Sequence, residues 1–310
     1  MAGKSVGVSR RRRHSGKQNL DRTGVVDGAK RVIKACDARA GVFCLGLGIP
    51  HPVPKGSASG MRLLRILTFK ELKGYFLTPF GWVVLAYVAL MQGVSLSAAM
   101  KGFRDTAVKD SLVYVAFNSP LFWFSFLFIF PLITMRLFAE EERTGTLETL
   151  LTAPVRTWQV VLSKYLAAMV FFTLLWVPVA LQFMLFGVVS GLPPAYAPGA
   201  MTGAFAILML MGAAYTAVGC LASSLTSSQI VAGLITTGLL VIQYFLGYVT
   251  VIWGESFAGA AFFHHLSAHR HLHYFTSGLL DTRAAVWFLG IAFFMLVLTH
   301  HVVDHRRWKR

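Results

Sequence analysis

Two clusters in the 310-residue sequence have residue types and spacing that suit chemistry. His265, His269 and His273 recur at i, i+4 and i+8, so on a helix their imidazoles share one face, and two adjacent ones could hold Zn²⁺ or Cu²⁺. The same spacing also suits an interfacial helix that leaves polar His among headgroups, and this is the preferred reading of the two. The second cluster runs from Arg136 to Pro154. A helix leaving the preceding apolar run carries Glu140, Glu141, Glu142 and Arg143 into water, and Gly145 permits a turn that residues with a Cβ make at higher cost. Thr146 then serves as N-cap, and Glu148 faces the positive end of the helix dipole. Leu147, Leu150 and Leu151 share one face before Pro154 ends the segment. The helix predicted over 146–153 has only about two turns, too few to stand alone, so it must dock on its own chain or in a groove of a partner.

Other chemistries are excluded by what is missing. No G-x-x-x-x-G-K-[ST] sequence occurs, so ATP hydrolysis does not belong to this chain, and it holds no cofactor of its own. No His lies between His51 and His264, which disfavours haem held by facing His pairs. Cys36, Cys44 and Cys220 have no paired spacing, so neither a disulfide framework nor a zinc knuckle is supported. The basic run Arg10 to Arg13 lacks aromatic interleaving and gives no case for nucleic acid.

The elements that must position these clusters are membrane spans. With 55% hydrophobic and 14% charged residues the chain is too apolar for a soluble protein of this length. Residues 1–60 are basic and coreless. They read either as a disordered arm for anionic lipid or as sequence ahead of a true start at Met61, the second being favoured because Met61 opens a coherent pattern. Met61 to Lys73 alternates Leu63, Leu64, Leu67 and Leu72 with Arg62, Arg65, Lys70 and Lys73, as a helix lying in the headgroup layer would. The six-span domain fills 61–310. Apolar runs long enough to cross about 30 Å of hydrocarbon predict spans near 80–100, 115–135, 165–189, 200–222, 229–252 and 284–303.

Loop charges set the topology. Twelve Lys and Arg fall on one side: Arg62, Arg65, Lys70, Lys73, Arg136, Arg143, Arg156, Lys164, Arg306, Arg307, Lys309 and Arg310. Five fall on the other: Lys101, Arg104, Lys109, Arg270 and Arg283. Both termini are therefore expected in the cytoplasm. Ninety residues between Lys164 and Glu255 carry no Asp, Glu, Lys, Arg or His. The spans are read as free of titratable groups, so an ion gradient has nothing to couple to, and energy for transport must come from outside the chain. Gln92, Asn118, Gln182, Gln229 and Gln243 are read as helix-to-helix hydrogen bonders, each contributing about 0.6 kcal/mol. Gly212, Ala213, Thr216, Ala217 and Gly219 mark close helix packing in the fourth span.

These features resemble the permease subunits of type-2 ABC exporters, in particular bacterial ones associated with gliding motility and copper-enzyme maturation. The resemblance covers nearly all of 61–310. It rests on Glu71, Leu72 and Lys73 of the amphipathic helix; on the stretch through Arg143, Gly145, Thr146, Leu147, Glu148 and Leu151 to Pro154; on Lys164; and on Phe275, Gly278, Asp281 and Arg306-Arg307-Trp308. It implies an all-α multi-pass protein of the bacterial inner membrane with a coupling helix at 146–153, seated in a cleft of a separate ABC ATPase that carries ATP and Mg. It further implies that Glu140, Glu141, Glu142, Arg143 and Glu148 are the inter-subunit contact charges. A second permease chain, identical or paralogous, would complete the pathway. Two other readings stay open from the residues themselves: a non-transporting membrane scaffold of a secretion or motility machine, and an ATP-independent secondary transporter.

Overall fold

In a computed structural model of the chain, the described residues are 57–105, 112–146, 155–190, 198–253, 263, 266–277, 279 and 281–308. The chain divides into Met1–Val53 and Pro54–Arg310, and every described residue lies in the second unit. The basic arm, Leu147 to Pro154 and His265 lie outside the described residues.

The described residues are helical, without strands. In chain order the helices are α1 (Ser57–Leu77), α2 (Pro79–Asp105), α3 (Leu112–Phe117), α4 (Pro120–Thr134), α5 (Ala139–Arg143), α6 (Thr157–Leu175), α7 (Val177–Ser190), α8 (Pro198–Leu225), α9 (Gln229–Trp253), α10 (Ala268–Thr276) and α11 (Thr282–Trp308). Six stretches are long and apolar enough to cross a membrane: Pro79–Gly102, Pro120–Arg143, Thr157–Val189, Gly199–Leu225, Gln229–Gly247 and Thr282–Arg306. All six expected spans are present.

Proline chemistry sets the breaks between helices. Thr78 separates α1 from α2 because the residue before Pro79 is pushed out of the helical region. The second span does not start near 115 as one helix. Ser119 takes an extended conformation, its hydroxyl accepts from the Phe122 N–H at 3.2 Å, and Pro120 fits the first turn of α4, leaving α3 as a separate short piece. The third span is interrupted at Trp176, since Pro178 has no N–H and its ring would meet the carbonyl of residue 174 in a continuous helix.

Burial ranks the spans. The apolar stretch of α8 is 72% buried and that of α4 is 67% buried, whereas those of α9 and α11 are 22% buried. The interior is therefore built on α8, which packs against α4, α6, α9, α10 and α11. Small residues allow this: Gly212 lies against the Phe172 ring and Gly219 against the Thr134 side chain. An aromatic seam fills the space beside them, with Phe130 stacked on Phe172 at 5.2 Å between ring centres and Phe126 beside Tyr215 at 5.9 Å. Gln182 Nε2 donates to the Ala89 carbonyl at 2.9 Å, and Gln243 Nε2 to that of Leu266 at 3.3 Å, the helix-to-helix role read from the sequence.

Two expectations about charge are corrected. α6 starts at Thr157 rather than near 165, so Lys164, expected at the start of the third span among the loop charges, sits two turns inside it. His300 and His301 belong to α11, so the sixth span also carries titratable groups. Hydropathy gives a span's middle and not its ends, which moved the start of α6; His300 and His301 lie within the expected 284–303 span and contradict the reading that the spans hold no titratable group.

Candidate functional site

Glu140, Glu141 and Glu142 come to lie at one end of the bundle, each beside a cation of the same chain. Glu141 meets Lys164, with its Oε1 2.8 Å from the ammonium. Glu71 of α1 approaches the same ammonium from the other side at 3.3 Å. The Phe138 ring lies 5.5 Å from the Lys164 Nζ. Lys164 itself is 1% exposed. A buried ammonium between two carboxylates ties α1, α5 and α6 together, because removing any one partner leaves a charge in an apolar surrounding.

The neighbouring carboxylates extend the tie. Glu142 pairs with Arg306 of α11. Glu140 pairs with Arg136 at 3.3 Å, one turn earlier, and the Arg136 guanidinium lies 5.0 Å from the centre of the Phe80 ring. Thr157 Oγ1 donates to Asp304 Oδ1 at 3.0 Å, fixing the start of α6 to α11. The three glutamates in a row thus hold three different cations, since successive helical positions point about 100° apart.

Ser223 of α8 holds the bend between α4 and α5. Its hydroxyl accepts from the N–H groups of Phe138 at 3.1 Å and Ala139 at 3.2 Å, and donates to the Met135 carbonyl at 3.3 Å. A hydroxyl from another helix therefore caps α5, whose own N-cap residue Phe138 has no side-chain acceptor. Beyond α5 the chain reaches water. Arg143, Thr144, Gly145 and Thr146 are exposed, and Gly145 has φ of 71°, the left-handed turn its lack of a Cβ permits. Thr146 Oγ1 points back to Thr144 Oγ1 at 3.0 Å. The corner thus presents the start of the 146–153 segment at the surface; Leu147, Glu148, Leu150, Leu151 and Pro154 lie outside the described residues.

At α10, His269 and His273 each lie beside an aromatic ring of another element. His269 lies near the Trp123 ring, 6.2 Å between centres, and the His273 ring is 4.9 Å from that of Tyr114. Among the described residues no three His, Cys, Asp or Glu side chains gather as metal ligands, and His265 lies outside them.

The sequence singled out Glu71, Lys164 and Glu140 to Glu142, and the structure brings all of them together. It missed Ser223 and Asp304. Nothing local signals a contact across 84 or 85 residues, as for Ser223 with Ala139 and Phe138.

Six apolar spans with these ion pairs gathered at one end define an all-α, multi-pass membrane protein. The family described as ABC-2 family transporter protein matches residues 77–303, nearly three-quarters of the chain, and the chain belongs to that family. It is thus a membrane permease component of an ABC transporter, a class that works with an ATPase partner. A comparison with curated proteins gives no match.

Proposed function

We propose that the chain is the transmembrane half of an ATP-binding cassette exporter in the bacterial inner membrane. Two permease chains and two ATPase subunits would form the working unit. The segment 146–153 is the coupling helix: Leu147, Leu150 and Leu151 seat in a cleft of the ATPase, with Arg143 and Glu148 at its rim. ATP closes the ATPase dimer and moves this helix, and the spans respond by alternating access for a substrate not yet identified.

The observation that carries this reading is the bonding of the coupling segment's own stem. Because Glu141 and Glu142 are ion-paired to Lys164 and Arg306, a displacement at Gly145 and Thr146 pulls on α6 and α11, and through Lys164 and Glu71 on α1. Glu141 and Glu142 then act as internal transmission bonds, Glu140 braces the stem through Arg136, and direct contact with the ATPase falls to the exposed corner and the residues after it. The excess of Lys and Arg at this end supports its placement in the cytoplasm.

The test is co-purification from cells expressing the permease and its ATPase. Glu148→Lys with Leu151→Asp should abolish recovery of the ATPase while the permease stays in the membrane. Full recovery of the ATPase with this double variant removes the coupling assignment.

A further inference from the structure

Where α1 meets α2, a cleft of about 250 Å³ opens between the two helices and the turn after α4. Glu71, Gly74, Thr78, Phe80, Arg136 and Glu140 are among its lining residues. The volume is below the roughly 300–1,000 Å³ of sites for drug-sized molecules, so it suits a small polar group rather than a whole amphiphile. The lining carries both signs of charge. Arg136 lies over Phe80 and approaches Glu140 with its Nε, while a guanidinium has five N–H donors in all. The Glu140 side chain is 46% exposed. Glu71 completes the acidic wall, with the exposed Lys70 at 3.6 Å and Lys164 at 3.3 Å.

The surroundings place a membrane surface at the cleft mouth. Leu77 is 81% exposed and Trp82 is 58% exposed, two large apolar side chains beside Thr78 and Phe80. The Trp82 indole N–H donates to the Phe76 carbonyl at 3.1 Å. A tryptophan with one polar bond and an exposed ring is characteristic of the headgroup level. Apolar chains can lie outside against Leu77 and Trp82 while a headgroup enters.

We propose that this cleft binds the phosphoethanolamine headgroup of a membrane phospholipid, with its phosphodiester on Arg136 and its primary ammonium on Glu140 and Glu71. The charge balance selects this class. The cleft lining itself presents two carboxylates, Glu71 and Glu140, and one cation, Arg136, so both signs of a zwitterionic headgroup meet a partner. A purely anionic headgroup engages Arg136 but brings its charge up against the two carboxylates. A choline headgroup has no N–H to give the carboxylates. A primary ammonium satisfies them with charge-assisted hydrogen bonds. This inference is independent of the transport reading, because the cleft is formed within one chain.

The test uses the full purified chain in detergent, stripped of lipid, with retention of dioleoyl phosphatidylethanolamine, phosphatidylcholine and phosphatidylglycerol read by native mass spectrometry. Phosphatidylethanolamine should be retained over the other two by about tenfold, a factor one charge-assisted hydrogen bond can supply. Glu140→Gln should bring it down to the phosphatidylcholine level, whereas Arg136→Gln weakens both. Gly74→Trp should exclude the headgroup, because a Cβ at Gly74 meets nothing within 4 Å and a large ring there fills the cleft. Should Gly74→Trp fail to fold, the isosteric and half-exposed Glu140→Gln carries the test. Equal retention of the three lipids, or unchanged selectivity in Glu140→Gln, overturns the proposal. Soluble glycerophosphoethanolamine should displace the lipid only in large excess; displacement at equal concentration overturns the membrane source.

Discussion

Lys164 Nζ stands 2.8 Å from Glu141 Oε1, and the lysine side chain is 2% exposed, so the two residues form a contact almost out of reach of water. The carboxylate comes from the turn that leaves the second span and the ammonium from two turns inside the third. The span with the long uncharged sequence therefore begins on a cation that the preceding loop and the amphipathic helix neutralise.

Breaking this contact should be costly. Lys164→Met leaves Glu71 and Glu141 close together without their cation, and loss of one partner of a buried pair costs about 3–5 kcal/mol. Thermal unfolding of the detergent-solubilised chain should show a large drop. Adding Glu71→Gln and Glu141→Gln to Lys164→Met should restore most of it, since the charges then leave together. A wild-type melting temperature in Lys164→Met alone contradicts the buried arrangement.

Ser223→Ala removes the hydroxyl that serves the N–H groups of Phe138 and Ala139. Two buried donors lose their acceptor, with an expected loss of about 1–3 kcal/mol. Hydrogen exchange should accelerate at these two amides before any other part of α5. Unchanged protection there refutes the cap.

Close packing around α8 predicts a contrast between glycines. A Cβ at Gly212 runs into the Phe172 ring and one at Gly219 into the Thr134 side chain, so each change to Ala should destabilise by about 1–3 kcal/mol. Gly290→Ala puts its methyl where no atom lies within 4 Å, and should be neutral or stabilising by up to about 1 kcal/mol because alanine favours helix. Melting temperatures of the three variants compare the sites directly. Equal effects at all three argue against the packing.

Burial, and then the neighbouring His273, hold the His269 imidazole below its ordinary pKa of 6.5. The folded form binds this proton less readily than the unfolded form. Stability is therefore intact above about pH 6.5 and declines as pH falls from there toward the lowered value. Protection factors of the α10 amides, taken relative to the intrinsic exchange rate at each pH, should fall on acidification from about pH 7.5 to about pH 5.5. His269→Gln should flatten that dependence; an equal slope in both proteins assigns it to another group.

The membrane class and the number of spans were legible in the sequence, because a run of some twenty apolar residues must cross lipid whatever its neighbours are. Gly145 was legible as a turn, and Gly212 and Gly219 as contact points, since each reading needs only the residue's own size and conformational range. Lys164 was expected at the start of the third span and not two turns inside it, because nothing in its flanking sequence says that a carboxylate 93 positions away, Glu71, lies beside it. The break at Ser119 was hidden within a continuous apolar run.

What only the tertiary structure decided is which charge meets which. Glu140, Glu141 and Glu142 are interchangeable on paper; the packing of α6 and α11 gives Glu141 to Lys164 and Glu142 to Arg306, and leaves Glu140 with Arg136 one turn back in its own stem. The physical reason is one of range. Hydropathy and turn preference act over a few residues, whereas the Glu141–Lys164 pair or the Ser223 cap exists only once packing brings polar atoms of distant helices within about 3 Å of each other.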